Sequence, residues 1–220
     1  MDRIATRKIL HLDLDAFFCA VEEQKDPSLA GKAFAVGGKP GQRGVICSCS
    51  YPARRKGVHS AMPTGQALRL CPDLVLVSSN FADYSAKSHQ VMEILHQLSG
   101  LVEQVSVDEA FIDVTDLPDP VEQIAGTLQA RVKMETGLPC SIGAASNKLV
   151  AKIATDTGKS HSVSPGYPQA ILCVPAGAER DFLSPLPVRA MWGVGPKMES
   201  SLAEMGLHTI GDIANCPFDI

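Results

Sequence analysis

Leu10, Leu12 and Leu14 alternate with His11, Asp13 and Asp15, a period of two that predicts a strand with one apolar and one polar face. Tyr84, Val91, Ile94, Leu95 and Leu98 recur at helical spacing, and Gly100 ends that stripe. Residues 102–107 and 110–114 read as two strands, with only Asp108 and Glu109 between them. A second helical stripe, Val121, Ile124, Ala125, Leu128 and Val132, stops near Gly137-Leu138-Pro139. Residues 140–144 read as a fourth strand, and 148–157 as a third helix. The order is β-α-β-β-α-β, the split βαβ or ferredoxin-like arrangement of an α+β fold. Residues 17–80, rich in Gly and Pro, are inserted between the first strand and the first helix. From about residue 172 the chain is punctuated by Pro and Gly and then turns helical, which predicts a small third unit.

Composition narrows the class. Of 220 residues, 45% are apolar and 20% charged, which is ordinary for a globular protein and excludes wholesale disorder. The longest strand-like apolar run, around Leu74-Val75-Leu76-Val77, is short, and no stretch approaches the roughly 20 apolar residues that span a bilayer. No apolar stretch follows the basic residues of the N-terminus, so a secretory signal is not expected and the protein is placed in the cytoplasm. The seven cysteines, at 19, 47, 49, 71, 140, 173 and 216, form no C-x-x-C pair and are read as reduced, buried thiols. Gly37-Gly38-Lys39-Pro40-Gly41 lacks phosphate-loop spacing and reads as a turn.

Charge changes the picture. The net charge is −4, yet no Asp or Glu occurs from Pro27 to Pro72. That window holds Lys32, Lys39, Arg43, Arg54, Arg55, Lys56 and Arg69, so it carries +7 and the remainder must carry −11. A one-signed stretch beside an acidic body points to a polyanion partner.

The carboxylates supply the candidate chemistry. Asp13 and Asp15 lie two apart on the first strand and share a face. Asp108 and Glu109 are expected at the tip of the hairpin between the second and third strands. In a split βαβ sheet the first and third strands are central neighbours, which would bring Asp13 near Asp108 and Glu109. Clustered carboxylates repel unless a cation intervenes, and oxygen-only ligands favour Mg(II) or Mn(II). Two such ions can clamp the attacking and leaving oxygens of a phosphoryl transfer. His11, two residues before Asp13, is expected to serve packing.

Four long motifs in order now resemble one family. Asp13-Leu14-Asp15-Ala16-Phe17-Phe18 with Val21-Glu22-Glu23 resembles the first motif of the Y-family translesion DNA polymerases. Tyr51-Pro52-Ala53-Arg54-Arg55-Lys56-Gly57-Val58 is similar to the family's fingers motif, and Ser106-Val107-Asp108-Glu109-Ala110-Phe111-Ile112-Asp113 to its palm motif. Ser146-Asn147-Lys148-Leu149-Val150-Ala151-Lys152-Ile153-Ala154 resembles the helix that follows. Tyr51-Pro52-Ala53-Arg54 and Ala61-Met62-Pro63-Thr64 are closest in flavour to bacterial members.

The resemblance implies a palm at 1–16 and 81–171, fingers at 17–80 and a thumb at 172–220. It implies that Asp13, Asp108 and Glu109, with the Leu14 carbonyl, hold two Mg(II) ions, for which Mn(II) can substitute. The ions would serve attack of a primer 3′-hydroxyl on the α-phosphate, with pyrophosphate leaving. Phe18 matches the steric gate that favours deoxynucleotides, and Phe17 a packing residue whose backbone meets the triphosphate. Tyr51, Arg54 and Lys159 match residues that hold the triphosphate, and Ser48 stands where a small hydroxyl residue often helps. Arg55 and Lys56 would be solvated or on the template side. Helices at 188–192 and 196–205 would flank Gly193-Val194-Gly195 as a helix-hairpin-helix, with Gly193, Val194, Gly195 and Lys197 toward a DNA phosphate. Trp192, the single tryptophan, is expected in the thumb core.

The implied partners are primer-template DNA and deoxynucleoside triphosphates, with no membrane and a monomeric protein. Two departures from the family pattern stand out. Ser160-His161-Ser162 follows Lys159 where Pro-Asn-Gly is usual, and Ser50 precedes Tyr51 where Asn is common. The chain stops at Asp219-Ile220, short of the family's little-finger domain and of the C-terminal peptide that binds a sliding clamp in longer members. The alternatives are a module that grips primer-template DNA without synthesis and, less well matched, a nucleotidyl cyclase.

Overall fold

The computed structural model describes residues 6–38, 44–164 and 166–217. In chain order its first half forms β1 (Ile9–Leu14), α1 (Phe17–Lys25), β2 (Phe34–Gly37), β3 (Ile46–Cys49), α2 (Tyr51–Arg55), α3 (Thr64–Leu70), β4 (Val75–Val77) and α4 (Phe81–Leu98). There follow β5 (Val102–Gln104), β6 (Glu109–Asp113), α5 (Val121–Thr136), β7 (Cys140–Ala145), α6 (Lys148–His161), β8 (Ile171–Cys173), α7 (Glu179–Leu183), α8 (Pro196–Glu204) and α9 (Ile210–Asn215).

One sheet has the order β5-β6-β1-β7-β8 and the other β3-β2-β4. Removing the insertion leaves β1-α4-β5-β6-α5-β7, whose four strands stand in the ferredoxin-like order, and β8 adds a parallel edge beside β7. β1 is central. It pairs antiparallel with β6, Asp13 opposite Glu109, and with β7, Asp13 opposite Ser141.

The alternation along β1 has a clear cause. Leu10, Leu12 and Leu14 join the main core with Ile112, Ile142, Val91, Leu95, Leu128 and Val132, supplied by the neighbouring strands and by α4 and α5. Each fully buried leucine is worth about 1.5–3 kcal/mol. The opposite face of the sheet, with Ile9, Phe111 and Ala145, is covered by Val150, Ala151 and Ala154 of α6. A third cluster, with Ala35, Ile46, Cys49, Ala53, Met62 and Ala67, holds the inserted sheet to α2 and α3.

Several expectations need correction. The strand expected at 102–107 ends at Gln104, and Glu109 is the first residue of β6 rather than part of a two-residue tip. Ser106 explains the difference. Its hydroxyl accepts from the amides of Asp108 and Glu109 and donates to Asp108 Oδ1 at 2.6 Å, so a local turn replaces the ladder. Val105 and Val107, which looked like strand residues, are exposed.

The third helix runs to His161 and passes through Gly158, because that glycine lies close beneath β8: a Cβ there would stand 3.2 Å from Ala170 Cβ. The helix expected at 188–192 is a single 3₁₀ turn, Val188–Ala190, followed by extended Met191 and by Gly193 at φ 92°. Its anchor is buried Val188, whose amide bonds to the His208 carbonyl. Trp192 is 58% exposed rather than core and leans toward Phe111 at 6.4 Å. Among the cysteines, 19, 49, 71 and 140 are buried, whereas Cys47 is exposed.

Of the Gly37–Gly41 turn, Gly37 and Gly38 pair back onto the chain, with Gly38 N–H donating to the Val45 carbonyl at 3.1 Å. Lys39, Pro40 and Gly41, like Arg43 and the terminal Asp219-Ile220, lie outside the described residues. Among the described residues no helix is long and apolar enough to cross a membrane.

Candidate functional site

A sharp turn at the end of β1 builds the site. Asp15 and Ala16 reverse the chain into α1, and Ala16 adopts left-handed dihedrals, φ 44° and ψ 48°, that a side-chain-bearing residue takes only where its surroundings enforce them. Ala16, the N-cap of α1, has no side chain that could cap the helix. A cavity of about 270 Å³ opens there. Its walls combine Asp13, Leu14, Ala16, Phe17 and Phe18 with Asp108 of the β5–β6 turn, Ser48 and Cys47 of β3, Arg54 of α2, Ser60, and Asp156 and Lys159 of α6.

The expected residues are thus largely brought together. Asp13, Leu14, Phe17, Phe18, Ser48, Arg54, Asp108 and Lys159 line one space. Glu109 and Tyr51 are not among its lining residues. The backbones of the carboxylate strands are locked side by side, for Leu14 N–H donates to the Asp108 carbonyl at 3.0 Å and Asp13 faces Glu109 in register. Gly193, Val194, Gly195 and Lys197 are not part of the cavity. Gly193 and Val194 lie in the loop leading into α8, Gly195 is its N-cap, and Lys197 is an exposed residue of its first turn.

Each carboxylate has a distinct environment. Asp13 Oδ1 lies 2.5 Å from Lys159 Nζ, which also stands 3.4 Å from Asp15 Oδ1. Burial alone would lower the Lys159 pKa, but the charges of Asp13 and Asp15 outweigh it and hold the ammonium above its usual range. Burial pushes the Asp108 carboxyl up, and the neighbouring charges of Asp13 and Glu109 add to this against the Ser106 hydroxyl. Asp15 is fully buried and its pKa is likewise raised by burial, although Lys159, the Gln169 amide and the Ser141 hydroxyl favour its charge. Glu109 goes the other way. The imidazole of His11 and the Lys152 ammonium hold its pKa down to about 2 despite partial burial.

His11 is buried as expected, but it does more than fill space. Its Nδ1 lies 2.9 Å from Thr155 Oγ1, while Nε2 faces Glu109 Oε2 at 3.5 Å, too far for a good hydrogen bond. Among the described residues that Nε2 is the one buried side-chain polar atom without a hydrogen-bond partner.

Phe18 is held from behind. Its ring stacks on Tyr84 at 4.2 Å and 15°, and Phe17 and Phe81 complete the aromatic group. The Tyr84 hydroxyl donates to buried Glu22 at 2.7 Å, and Lys25 Nζ lies 3.2 Å from the same carboxylate. On the inserted side, the Arg54 guanidinium lies over the Tyr51 ring at 4.9 Å and its Nε donates to the Cys49 carbonyl at 3.1 Å. The basic window is partly neutralised, because Lys56 pairs with Asp73 at 2.6 Å.

The donor set is chemically suited to a hard divalent cation. The carboxylates of Asp13, Asp108 and Glu109 and the Leu14 carbonyl offer oxygen donors only. Among the described residues no three His, Cys, Asp or Glu side chains stand as a closed ligand group, and Lys159 and Lys152 engage Asp13 and Glu109.

Sequence reasoning assigned no role to Lys152, Tyr84, Cys47, Ser60 or Asp156. A signal existed for the first: Lys152, Thr155 and Lys159 recur at three and four residues, which places them on one face of α6 toward β1. Nothing comparable marks Ser60, which reaches the cavity through the folding of the inserted unit.

The chain is similar to known proteins over most of its length. Residues 12–156 match the impB/mucB/samB family, and residues 176–207 match the IMS family HHH motif. The chain is 45% identical over 212 residues to DNA polymerase IV 2 of Mesorhizobium japonicum, which covers 95% of this chain and 48% of the relative. It is 42% identical over 210 residues to DNA polymerase IV of Mannheimia succiniciproducens, covering 94% and 57% respectively. The crystal structure of DinB from Sulfolobus solfataricus superposes with a TM-score of 0.87 at 27% identity, covering 96% of this chain and 61% of that one. An insertion ternary complex of Dbh DNA polymerase gives 0.87 at 26% identity over the same shares. The chain spans about half the length of the relatives it matches.

Proposed function

The chain belongs to the impB/mucB/samB family, the Y-family of DNA polymerases, and we propose that it is the catalytic portion of a translesion DNA polymerase. It adds deoxynucleotides to a primer 3′ end under the direction of a template, tolerates damaged templates and copies with low fidelity. The observation that carries this reading is the locked adjacency of Asp13 with Asp108 and Glu109 on the two central strands, beneath a cavity walled by Phe18, Arg54 and Lys159.

Each residue has a part. Asp13, Asp108 and Glu109, with the Leu14 carbonyl, would hold two Mg(II) ions, and Mn(II) could replace them. Bound there, the ions supply neutralisation of phosphate charge and make the primer 3′-hydroxyl easier to deprotonate. Arg54 offers a fork of donors to the triphosphate oxygens and Lys159 a compact charge, with Tyr51 and Ser48 adding hydroxyls. The uncapped amides of α1, beginning at Phe17, face the same anion. Phe18 sets its ring against the sugar C2′, leaving room for hydrogen but not for hydroxyl. The 3′-hydroxyl then attacks the α-phosphate in line, and pyrophosphate departs.

In this reading residues 1–16 and 81–171 form the palm, 17–80 the fingers and 172–220 the thumb. Gly193, Val194, Gly195 and Lys197 meet a DNA phosphate without reading sequence. The protein acts as a monomer in the cytoplasm, and a longer form would also meet a sliding clamp.

Primer extension by this chain with Mg(II) and four deoxynucleotides, beside Asp108→Ala, tests the reading. Template-directed extension by the parent alone is expected. Extension by both would remove the metal assignment. Retained primer-template binding with no extension by the parent would favour a non-synthesising DNA-binding module.

A further inference from the structure

The segment between α6 and β8 has no place in the roles assigned above, yet it touches both halves of the site. Gln169 N–H donates to Asp15 Oδ2 at 2.9 Å, and Ala170 N–H to Ser141 Oγ at 3.0 Å. Ser141 in turn donates to Asp15 Oδ1 at 2.9 Å. Asp15, fully buried, stands 3.4 Å from Lys159 Nζ. Gln169 accepts a left-handed φ of 45° to make its bond, a strain that persists only where the surroundings enforce it.

At the other end of the segment, the Tyr167 hydroxyl donates to Glu23 Oε2 of α1 at 2.8 Å, which fixes the ring. That ring meets Tyr51 edge to face, 5.6 Å between centroids and 79° between planes. The face of Tyr51 carries the Arg54 guanidinium at 4.9 Å. Two chains of contact therefore leave one short strap. One runs from Tyr167 through Tyr51 to Arg54, the other from Gln169 through Asp15 to Lys159. They end on the two cations that line the cavity.

We propose that residues 166–170 are a positioning strap for those cations, and that Tyr167 sets the affinity of the cavity for a nucleoside triphosphate by holding Tyr51 and, across its ring, Arg54. Tyr167 does not line the cavity, so it acts through its neighbours. The inference rests on the polymerase reading in one respect only, that the ligand of Arg54 and Lys159 is a triphosphate.

The test is calorimetric titration of dATP with Mg(II) into the 220-residue chain and its variants. Tyr167→Ala is expected to weaken binding about tenfold, and Tyr167→Phe, which keeps the ring and loses the Glu23 bond, about two- to threefold. Thermal melts of each variant confirm that the protein titrated is folded. If Tyr167→Ala does not fold, Tyr167→Phe carries the test, and unchanged affinity there overturns the proposal. A role through Arg54 also predicts that Tyr167→Ala adds nothing in an Arg54→Ala background, whereas a purely structural contribution would add in full. Equal affinity of parent and Tyr167→Ala, or full additivity with Arg54→Ala, overturns the strap and leaves the polymerase reading standing. No saturable binding of dATP by the parent overturns the strap together with the premise that Arg54 and Lys159 hold a triphosphate, and primer extension then decides the polymerase reading separately.

Discussion

Phe18 shows how the role proposed for a single residue would depend on what stands behind it. An exposed phenylalanine ring would turn aside from a sugar edge at little cost. Here Tyr84 lies flat against it, and Tyr84 is itself tied to buried Glu22. Stacked aromatic pairs contribute roughly 0.5–1.5 kcal/mol beyond their buried area, enough to hold one rotamer. Phe18→Ala is expected to raise the ratio of ribo- to deoxynucleotide incorporation by about 10- to 200-fold, measured by single-nucleotide kinetics. An unchanged ratio would remove the ring from sugar discrimination. Phe18 was legible because it sits inside a motif next to Asp13. Tyr84 was legible only as a core residue, because its contact with Phe18 spans 66 positions in the chain and leaves no local signature.

At the scale of elements, α6 decides the site. Its polar stripe carries Lys152 to Glu109, Thr155 to His11 and Lys159 to Asp13. Those distances depend on how close the helix lies to β7. Gly143 permits the approach, since a Cβ there would stand 2.1 Å from the Ala151 carbonyl oxygen and 2.4 Å from the Thr155 amide. Both obstacles are backbone and cannot swing away. Gly143→Ala is expected to cost about 1–3 kcal/mol of stability, read by denaturant unfolding, because the helix must shift outward. A variant as stable as the parent would show that α6 is not seated as tightly as the geometry states. The helix was legible as far as Thr157. Its last turn, with Lys159, was not, because Gly158 looks like a stop until β8 is seen beside it.

At the scale of the molecule, the two sheets place opposite chemistries face to face. The central strands bring acids, and the inserted unit brings Arg54 from an acid-free stretch of the chain. That stretch is less basic than its composition, for Lys56 is paired with Asp73 just beyond it. Primer-template binding is still expected to fall steeply with salt, each neutralised phosphate contributing a slope of about 0.9 in a log–log plot. Affinity that does not change between 50 and 200 mM salt, on the order of the range in which phosphate contacts are lost, would exclude a phosphate-gripping surface.

The sequence by itself determined the strand order, the helical stripes, the family motifs and the acids Asp13, Asp108 and Glu109, because periodicity and short motifs are properties of neighbouring residues. It did not determine the exposure of Trp192, the partners of His11 or the place of Tyr167. Those depend on which distant backbones meet. A glycine admits a helix and a tyrosine supports another ring only once the sheet has set the distances between them.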